Sequence, residues 1–462
     1  MDAVKDWHGR RVVVLGLARQ GKALARYLTS HGAEVVLSDM KSAADLEVEL
    51  EELADLSLKY ALGGHPIELL EGTDALFLSG GVPADLEIVQ HARSIGIDVT
   101  NDAQLFLELS PAPVIGITGS AGKTTTTSLV AQMADTGLQS SGRKAWLGGN
   151  IGFPLLNALS EMNADDLAVM ELSSFQLEVM TKSPGIAAIL NLSPDHLDRH
   201  GDMGSYRSAK GHILEFQGSQ DAALLNCADP LTWEMRPLVQ GQLYAFGEEL
   251  PAGQEGGFIE SGSLKLVMNG AVLTICTMDE VSLPGDHNRL NVLAAAVLAS
   301  LANIPIEAIR EVARTFQGVP HRLEHVRTVL GADWYNDSIA TTPDRAIAAI
   351  EAFSQPIILL AGGRDKDLDW HRFAQVVQER VRVVVLFGEA AGMIEVALQS
   401  EMSMSDPLDI RRVQNLQAAV EIAAEITRKG DIVLLSPGGT SFDEFENYEL
   451  RGEQFRRMVK GI

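Results

Sequence analysis

The segment Gly116-Ile-Thr-Gly-Ser-Ala-Gly-Lys-Thr-Thr125, directly after Pro113-Val114-Ile115, decides the reading of this chain. An apolar run over Val114 to Thr118 predicts a buried strand, the glycines predict a turn, and a helix is predicted to begin near Lys123. A strand, a glycine-rich turn and a helix N-terminus in that order aim backbone N–H groups at one anion, so the segment reads as a phosphate cradle. Lys123 adds a charge and Thr124 a hydroxyl suited to Mg²⁺. The common Gly-x-x-x-x-Gly-Lys-[Ser/Thr] spacing is not met, because residue 117 is isoleucine; the loop is the shorter Gly119-x-x-Gly122-Lys123-Thr124. A solvated turn with a surface lysine is the bland alternative, and the strand before it and the Lys-Thr-Thr after it speak against that.

Working outward, 462 residues exceed one core of ordinary size, and three domains are expected. With 46% hydrophobic and 21% charged residues the composition is that of a folded chain. A formal net charge of −25 argues against broad binding to nucleic acid or to an anionic bilayer, so phosphate binding must be local. Cys227 and Cys276 are too few for a disulfide framework and too far apart for a paired metal motif, which fits a reducing, cytoplasmic setting. Residues 1 to 10 lack the apolar core of a signal peptide, and the longest apolar run, Val292 to Ala302, is short for a membrane span; no membrane association is expected.

Before the phosphate loop, Arg11-Val-Val-Val-Leu-Gly16 predicts a strand, Gly16-Leu-Ala-Arg-Gln-Gly21 a glycine turn, and Lys22 to Ser30 a helix. A second strand, Glu34 to Ser38, is closed by Asp39, 23 positions after Gly16. A glycine turn followed by an acid at that distance suggests a dinucleotide fold, yet Ala18 replaces the glycine that lets pyrophosphate approach the backbone. An NAD site, a related nucleotide site using Asp39, and a purely structural turn all remain open on the residues alone. The strand Ala75 to Ser79 ends in Gly80-Gly81-Val82-Pro83, a loop at the ligand-binding edge of such a sheet.

After the phosphate loop, apolar runs at Leu167 to Leu172, Ile186 to Leu192 and Ala222 to Asn226 alternate with helical patterns and predict a mainly parallel sheet. Residues 242 to 284 change to short alternating strands with an Asn269-Gly270 hairpin signal, predicting a small antiparallel patch. A third βα alternation starts near Gly318, with strands at Pro356 to Ala361, Val383 to Phe387 and Asp431 to Ser436. The fold class is therefore α/β, with a Rossmann-like domain over 1–101, a central P-loop mononucleotide-binding domain over 102–317 and a Rossmann-like domain over 318–462. Ligand clefts are expected between domains.

Glu171 ends an apolar strand in Val169-Met-Glu-Leu-Ser-Ser-Phe-Gln176, where a P-loop enzyme places the acid that holds Mg²⁺; a helix-capping acid is the alternative. Asn191-Leu-Ser-Pro-Asp-His196-Leu-Asp-Arg-His200 puts acids and imidazoles at another strand's end, which makes His196 a candidate metal ligand or transition-state contact. Lys210, in Tyr206-Arg-Ser-Ala-Lys210, reads on its own as a solvated helix lysine. These motifs, with His287-Asn288-x-x-Asn291 and Asn336-Asp337-Ser338, occur in an order that resembles the Mur ligases, over essentially the whole chain from Gly16 to Phe455. The run Leu435-Ser-Pro-Gly-Gly-Thr-Ser441-Phe442 through Phe455 and Gly362-Gly-Arg-Asp-Lys366 resemble the members that add D-glutamate.

The resemblance implies an ATP-dependent ligase that joins D-glutamate to the carboxylate of UDP-N-acetylmuramoyl-L-alanine through an acyl phosphate, for bacterial peptidoglycan precursors. It implies that Gly16, Leu17, Asp39 and Gly81 hold the uridine diphosphate end, with Asn150 near the substrate. Gly119, Ser120, Ala121, Gly122, Lys123, Thr124 and Thr125 would hold the ATP phosphates, Asn288 and Asn291 the adenine side, and Arg322 and Asp337 would reach ATP from the third domain. Thr124 and Glu171 would serve one Mg²⁺, and His196 and a carbamylated Lys210 a second. Thr341, Lys366, Ser441 and Phe442 would hold D-glutamate, an acidic amino acid needing a cation for its carboxylate. Family members often carry lysine where this chain has Ile339, and Arg345 or Arg364 is the candidate replacement. A monomer that closes on its substrates is expected. The competing functions are a ligase of the same or the folylpolyglutamate type with another amino acid, a P-loop ATPase switch, and an NAD enzyme.

Overall fold

The computed structural model describes residues 6–195, 197–283, 285–365, 368–401 and 408–462. The described chain divides into two compact units, Met1–Phe316 and Gln317–Ile462.

The first unit carries two sheets. Strands β1 (Arg11–Leu15), β2 (Glu34–Asp39), β3 (Lys59–Leu62), β4 (Ala75–Leu78) and β5 (Asp98–Asn101) form a parallel sheet ordered β3-β2-β1-β4-β5. The order reverses between β1 and β4, and at that switch point the loops beginning at Gly16 and Ser79 leave the sheet side by side. A Cβ on Gly21 would fall 1.9 Å from the Gly16 carbonyl oxygen, so the helix Arg19–Ser30 packs this closely on its strand only with glycine there.

The second sheet holds β6 (Val114–Thr118), β7 (Ala145–Gly149), β8 (Leu167–Glu171), β9 (Ile186–Ile189), β10 (Ala222–Asn226), β11 (Gln242–Phe246), β12 (Gly256–Glu260), β13 (Ser263–Met268) and β14 (Ala271–Thr277), ordered β14-β13-β12-β11-β10-β9-β6-β8-β7. It is parallel from β7 to β12 and antiparallel from β12 to β14, which is the expected patch. Its hairpin turns at Asn269 (φ 51°) and Gly270 (φ 73°), the two left-handed residues that Asn-Gly tolerates. One continuous apolar cluster joins β1 and β2 (Val12, Val14, Val35), Leu105 and Phe106 of the helix Asp102–Leu109, and Met170 and Ile189 of the second sheet.

The second unit is built on β15 (Glu324–Val329), β16 (Ala332–Asn336), β17 (Ile357–Gly362), β18 (Val381–Phe387), β19 (Asp409–Arg412) and β20 (Ile432–Gly438), ordered β15-β16-β20-β17-β18-β19. Only the β15–β16 pair is antiparallel. Ile357, Leu359 and Ala361 enter the core on one face of the sheet, Ile358 and Leu360 the core on the other. Burial on both faces is why β17 reads as an unbroken apolar run rather than an alternation. Among the described residues no helix is long and apolar enough to cross a membrane.

Candidate active site

Register brings the phosphate loop and its acid together. β6 lies between β8 and β9, Ile117 opposite Glu171 and Thr118 opposite Ile189, so the loop, Glu171 and the residues after β9 leave one edge of the sheet. The loop runs from Gly119 to Gly122, and the helix Lys123–Leu138 follows with no side chain capping its N-terminus. Gly122 is left-handed (φ 81°), and a Cβ there would come within 2.5 Å of Asn291 Oδ1. Asn291 thus packs beneath the helix start, 7% exposed, where it accepts from Thr126 Oγ1 (3.4 Å) and donates to Asn288 Oδ1 (3.0 Å).

The loop is clamped from β9. Asn191 accepts from the Ala121 amide (2.8 Å) and donates to its carbonyl (3.0 Å), while the Ser120 amide donates to the Asn191 carbonyl (2.9 Å). Ser120 Oγ donates to the Ser193 carbonyl and lies 3.0 Å from the Tyr206 hydroxyl. Sequence reasoning missed Asn191 and Tyr206 as loop supports. An asparagine just past a strand beside the loop strand was the available signal for the first.

Lys123 Nζ donates to the carbonyls of Gly119 (2.8 Å) and Ser120 (2.9 Å), and Lys210 Nζ donates to that same Gly119 carbonyl (2.9 Å) and to Thr118 Oγ1 (3.2 Å). Lys210 is 1% exposed, its Nζ 4.8 Å from the Tyr206 ring centre. Burial, and next the charge of Lys123, pull its amine down to about 7 against the opposing pull of Asp195 and Glu171. The solvated lysine read from the residues alone is therefore corrected: Lys210 sits inside the fold because the helix Met203–Glu215 turns it onto the end of β6. Glu171, 1% exposed, accepts from Thr124 Oγ1 (2.8 Å) on one oxygen and from Asn150 Nδ2 (2.8 Å) on the other. A hydroxyl and a carboxylate oxygen held together are hard donors of the kind that suit Mg²⁺, which takes few protein ligands beside substrate oxygens. His196 lies outside the described residues.

At the switch point of the first sheet, the Leu17 amide donates to Asp39 Oδ2 (2.8 Å), tying the end of β2 to the glycine turn. Gly16 (φ 91°) and Gly81 (φ 93°) are both left-handed. Arg199 donates to the Gly81 carbonyl (3.3 Å), and its guanidinium lies 4.9 Å from the Phe175 ring centre. Arg19 donates to the Asn150 carbonyl (3.5 Å). The turn residues Gly16, Leu17, Asp39 and Gly81 are thus connected through Arg19, Asn150 and Arg199 to the Glu171 edge of the second sheet.

In the second unit, β16, β20 and β17 are neighbours, and their carboxyl ends carry the segments 337–341, 439–442 and 363–365. Asp337, 4% exposed, accepts from Ser436 Oγ (2.8 Å) and the Leu323 amide (3.1 Å). Burial pushes its carboxyl up to about 7 against those two bonds and the charges of Arg322 and Arg345. Arg322 is exposed between two left-handed non-glycine residues, His321 (φ 63°) and Leu323 (φ 41°). Such backbone costs about 1–3 kcal/mol per residue and persists where its surroundings fix it. Here Glu324 accepts the His321 amide (2.8 Å) and Asp337 the Leu323 amide.

Ser441 is buried, Thr341 half-buried, and the Phe442 ring is 59% exposed. Arg364 makes a bidentate pair with Glu389 (2.8 and 3.0 Å), whereas Arg345 donates once, to the Ile339 carbonyl (3.3 Å). Lys366 lies outside the described residues.

Against known families, residues 10–101 match the model of the Mur ligase MurD-like N-terminal domain, 117–299 the Mur ligase middle domain and 321–439 the Mur ligase glutamate ligase domain. The UDP-N-acetylmuramoylalanine–D-glutamate ligase of Caldanaerobacter subterraneus is 39% identical over 455 residues, 98% of either chain. The enzyme of that name from Pelotomaculum thermopropionicum is 38% identical over 460 residues, 99% of either chain. Among solved structures, the UDP-N-acetylmuramate–alanine ligase of Thermotoga maritima aligns with a TM-score of 0.55 at 20% identity over 98% of this chain and 100% of that one. MurF from Acinetobacter baumannii aligns with a TM-score of 0.55 at 16% identity, over 96% and 93%. The two structural likenesses are likenesses of fold.

Proposed function

The chain belongs to the Mur ligase family, and from that premise we propose that it joins D-glutamate to UDP-N-acetylmuramoyl-L-alanine in peptidoglycan synthesis. It is an ATP-dependent ligase that uses Mg²⁺. The observation that carries this reading is the edge of β6, where an uncapped helix N-terminus, Lys123, the Thr124–Glu171 pair and the buried Lys210 meet.

The reaction runs in two steps. The carboxylate of the acceptor attacks the γ-phosphorus of ATP, giving an acyl phosphate and ADP. The amine of D-glutamate then attacks the acyl carbon, and the tetrahedral adduct collapses with loss of phosphate and a proton. Phosphoryl transfer asks for positioning and charge neutralisation more than for covalent help. The amides of Gly119 to Thr125 would receive the phosphates, and Lys123 would exchange its bonds to the loop's own carbonyls for bonds to phosphate oxygens. Thr124 and Glu171 would hold Mg²⁺, which would supply charge neutralisation at the phosphates.

Lys210 as an ammonium cannot hold a cation. Its depressed amine supports the neutral form that takes up CO₂, and the resulting carbamate, with His196, would hold a second Mg²⁺. Residues 1–101 would bind the uridine diphosphate end through Gly16, Leu17, Asp39 and Gly81, with Asn150 near the substrate. Residues 102–317 would bind ATP, Asn288 and Asn291 lying on the adenine side. Residues 318–462 would bind the amino acid through Thr341, Lys366, Ser441 and Phe442, and would supply Arg322 and Asp337 to the nucleotide. A cytoplasmic monomer completes the reading.

Release of ADP, measured over a panel of amino acids with UDP-N-acetylmuramoyl-L-alanine as acceptor, tests it. Turnover with D-glutamate alone is expected. Turnover with another amino acid would move the chain to another branch of the family, and release independent of any amino acid would make it an ATPase switch.

A further inference from the structure

Arg451 has no part in the chemistry above, yet it is among the largest fully buried side chains, 1% exposed. It projects from the helix Tyr448–Gly461 to the point where two loops of the second unit meet. Its Nε donates to Ser338 Oγ (3.0 Å) and its Nη2 to the Ser338 carbonyl (2.9 Å). Its Nη1 donates to the carbonyls of Gly439 (3.1 Å) and Thr440 (3.0 Å). The bonded partners are three carbonyls and a hydroxyl rather than a carboxylate. A buried charge is costly unless its donors are used, and the five donors of arginine's rigid planar fork address both backbone segments at once.

The segments so joined are those the amino-acid reading depends on. Ser338 follows Asp337, whose carboxylate fixes the Leu323 amide beside Arg322. Thr440 precedes Ser441 and Phe442 and is zipped to Arg364: each amide donates to the other's carbonyl (2.8 and 2.9 Å), and Thr440 Oγ1 donates to the Arg364 carbonyl (3.0 Å). The third loop is thereby held through the second. Ser338 Oγ also donates to the Tyr448 carbonyl (2.8 Å), returning the link to the helix that carries Arg451.

We infer that Arg451 is a positioning residue for the amino-acid substrate, its guanidinium setting the spacing between segments 337–341 and 439–442. This rests on the assignment of Thr341, Ser441 and Phe442 to D-glutamate. Lysine at 451 keeps the charge and loses the fork, so charge and geometry are separable.

The test uses the full chain carrying Arg451→Lys, Arg451→Met or Ser338→Ala, with ADP release followed as D-glutamate and then the UDP substrate are varied. Both Arg451 variants are expected to raise KM for D-glutamate by about tenfold or more and to leave KM for the UDP substrate within about twofold. Ser338→Ala, which removes the bond from Arg451 Nε and the one to the Tyr448 carbonyl, is expected to raise it about threefold. Amide hydrogen exchange should quicken in 337–341 and 439–442 and not across the rest of the unit.

A near-normal D-glutamate KM in Arg451→Lys overturns the inference, as does a joint rise of every KM with exchange loosened throughout 317–462. If the Arg451 variants do not fold, Ser338→Ala decides, and an unchanged KM there overturns it. A wild-type enzyme indifferent to D-glutamate would sink the proposed function instead, while the exchange pattern still tests the link between the loops.

Discussion

Ile339 stands where the family resemblance leads to the expectation of a lysine, and its surroundings separate the two candidate replacements. Arg364 is occupied by Glu389 through two parallel bonds, and an arginine held so is poorly placed to leave for a substrate. Arg345 makes one long bond, to the Ile339 carbonyl itself, which puts a cation on the loop that lacks the lysine. Arg345→Ala should therefore raise KM for D-glutamate by about tenfold, and Arg364→Ala should leave it within about threefold; steady-state kinetics with the other substrates saturating checks both. The reverse order would assign the role to Arg364.

Asp337 carries a second prediction at this scale, in pH. Its folded value of about 7 lies above the ordinary 3.8, so between those values the folded chain holds a proton that the unfolded chain has lost. Stability from this group is present at low pH and falls as pH rises through that window. Asparagine keeps an acceptor for Leu323 and a donor for Ser436 without the charge. Asp337→Asn should therefore gain on the wild type between pH 5 and pH 8 by on the order of 1–3 kcal/mol in denaturant titrations, and parallel pH profiles would contradict it. The residues that could be read ahead were those whose type and spacing carry the chemistry, such as Lys123, Thr124 and Glu171. Asn191 and Arg451 were not, because their roles come from backbone partners far along the chain: Asn191 bonds Ala121, and Arg451 reaches Ser338.

Among elements, the segment β6, Gly119 to Gly122 and the helix Lys123–Leu138 was the most legible, since its strand is wholly buried and its turn needs glycine. Buried strands such as β8, β10 and β17 were legible for the same reason. Edge strands were not: β3 and β19 are short and largely exposed, and β15 alternates charged and apolar residues on a half-solvated face. Such strands are set by pairing with a neighbour, which composition does not record. The loop itself yields a sharp test. Gly122→Ala meets two separate obstacles, a left-handed backbone and the Asn291 amide oxygen at 2.5 Å. It should raise KM for ATP by about tenfold or more and spare KM for D-glutamate. Asn291→Ala removes the clash but also a residue assigned to the adenine side, so the double variant is scored against Asn291→Ala alone. A double variant no worse than Asn291→Ala would mean that the clash alone mattered, and one worse by the full effect of Gly122→Ala that the backbone did.

At the scale of the molecule, each apolar cluster among the described residues lies within one unit. In the first unit one cluster runs from Trp7 to Met235 through both of its sheets and another holds Val13, Leu15, Val36 and Leu76, and the second unit has one core on each face of its own sheet. Cooperativity follows shared burial, so unfolding should resolve into two transitions rather than one. Leu360 is 0% exposed in the second unit, where a truncation leaves a cavity that its neighbours close only in part. Leu360→Ala should cost about 2–5 kcal/mol. In scanning calorimetry the transition assigned to Gln317–Ile462 should fall by several degrees while the other keeps its midpoint. The assignment can be made independently, because Mg²⁺–ADP, which we propose the phosphate loop holds, should raise the transition of Met1–Phe316 more than the other by mass action. A single transition that moves as a whole under either perturbation would show that the chain unfolds as one cooperative body despite its divided cores.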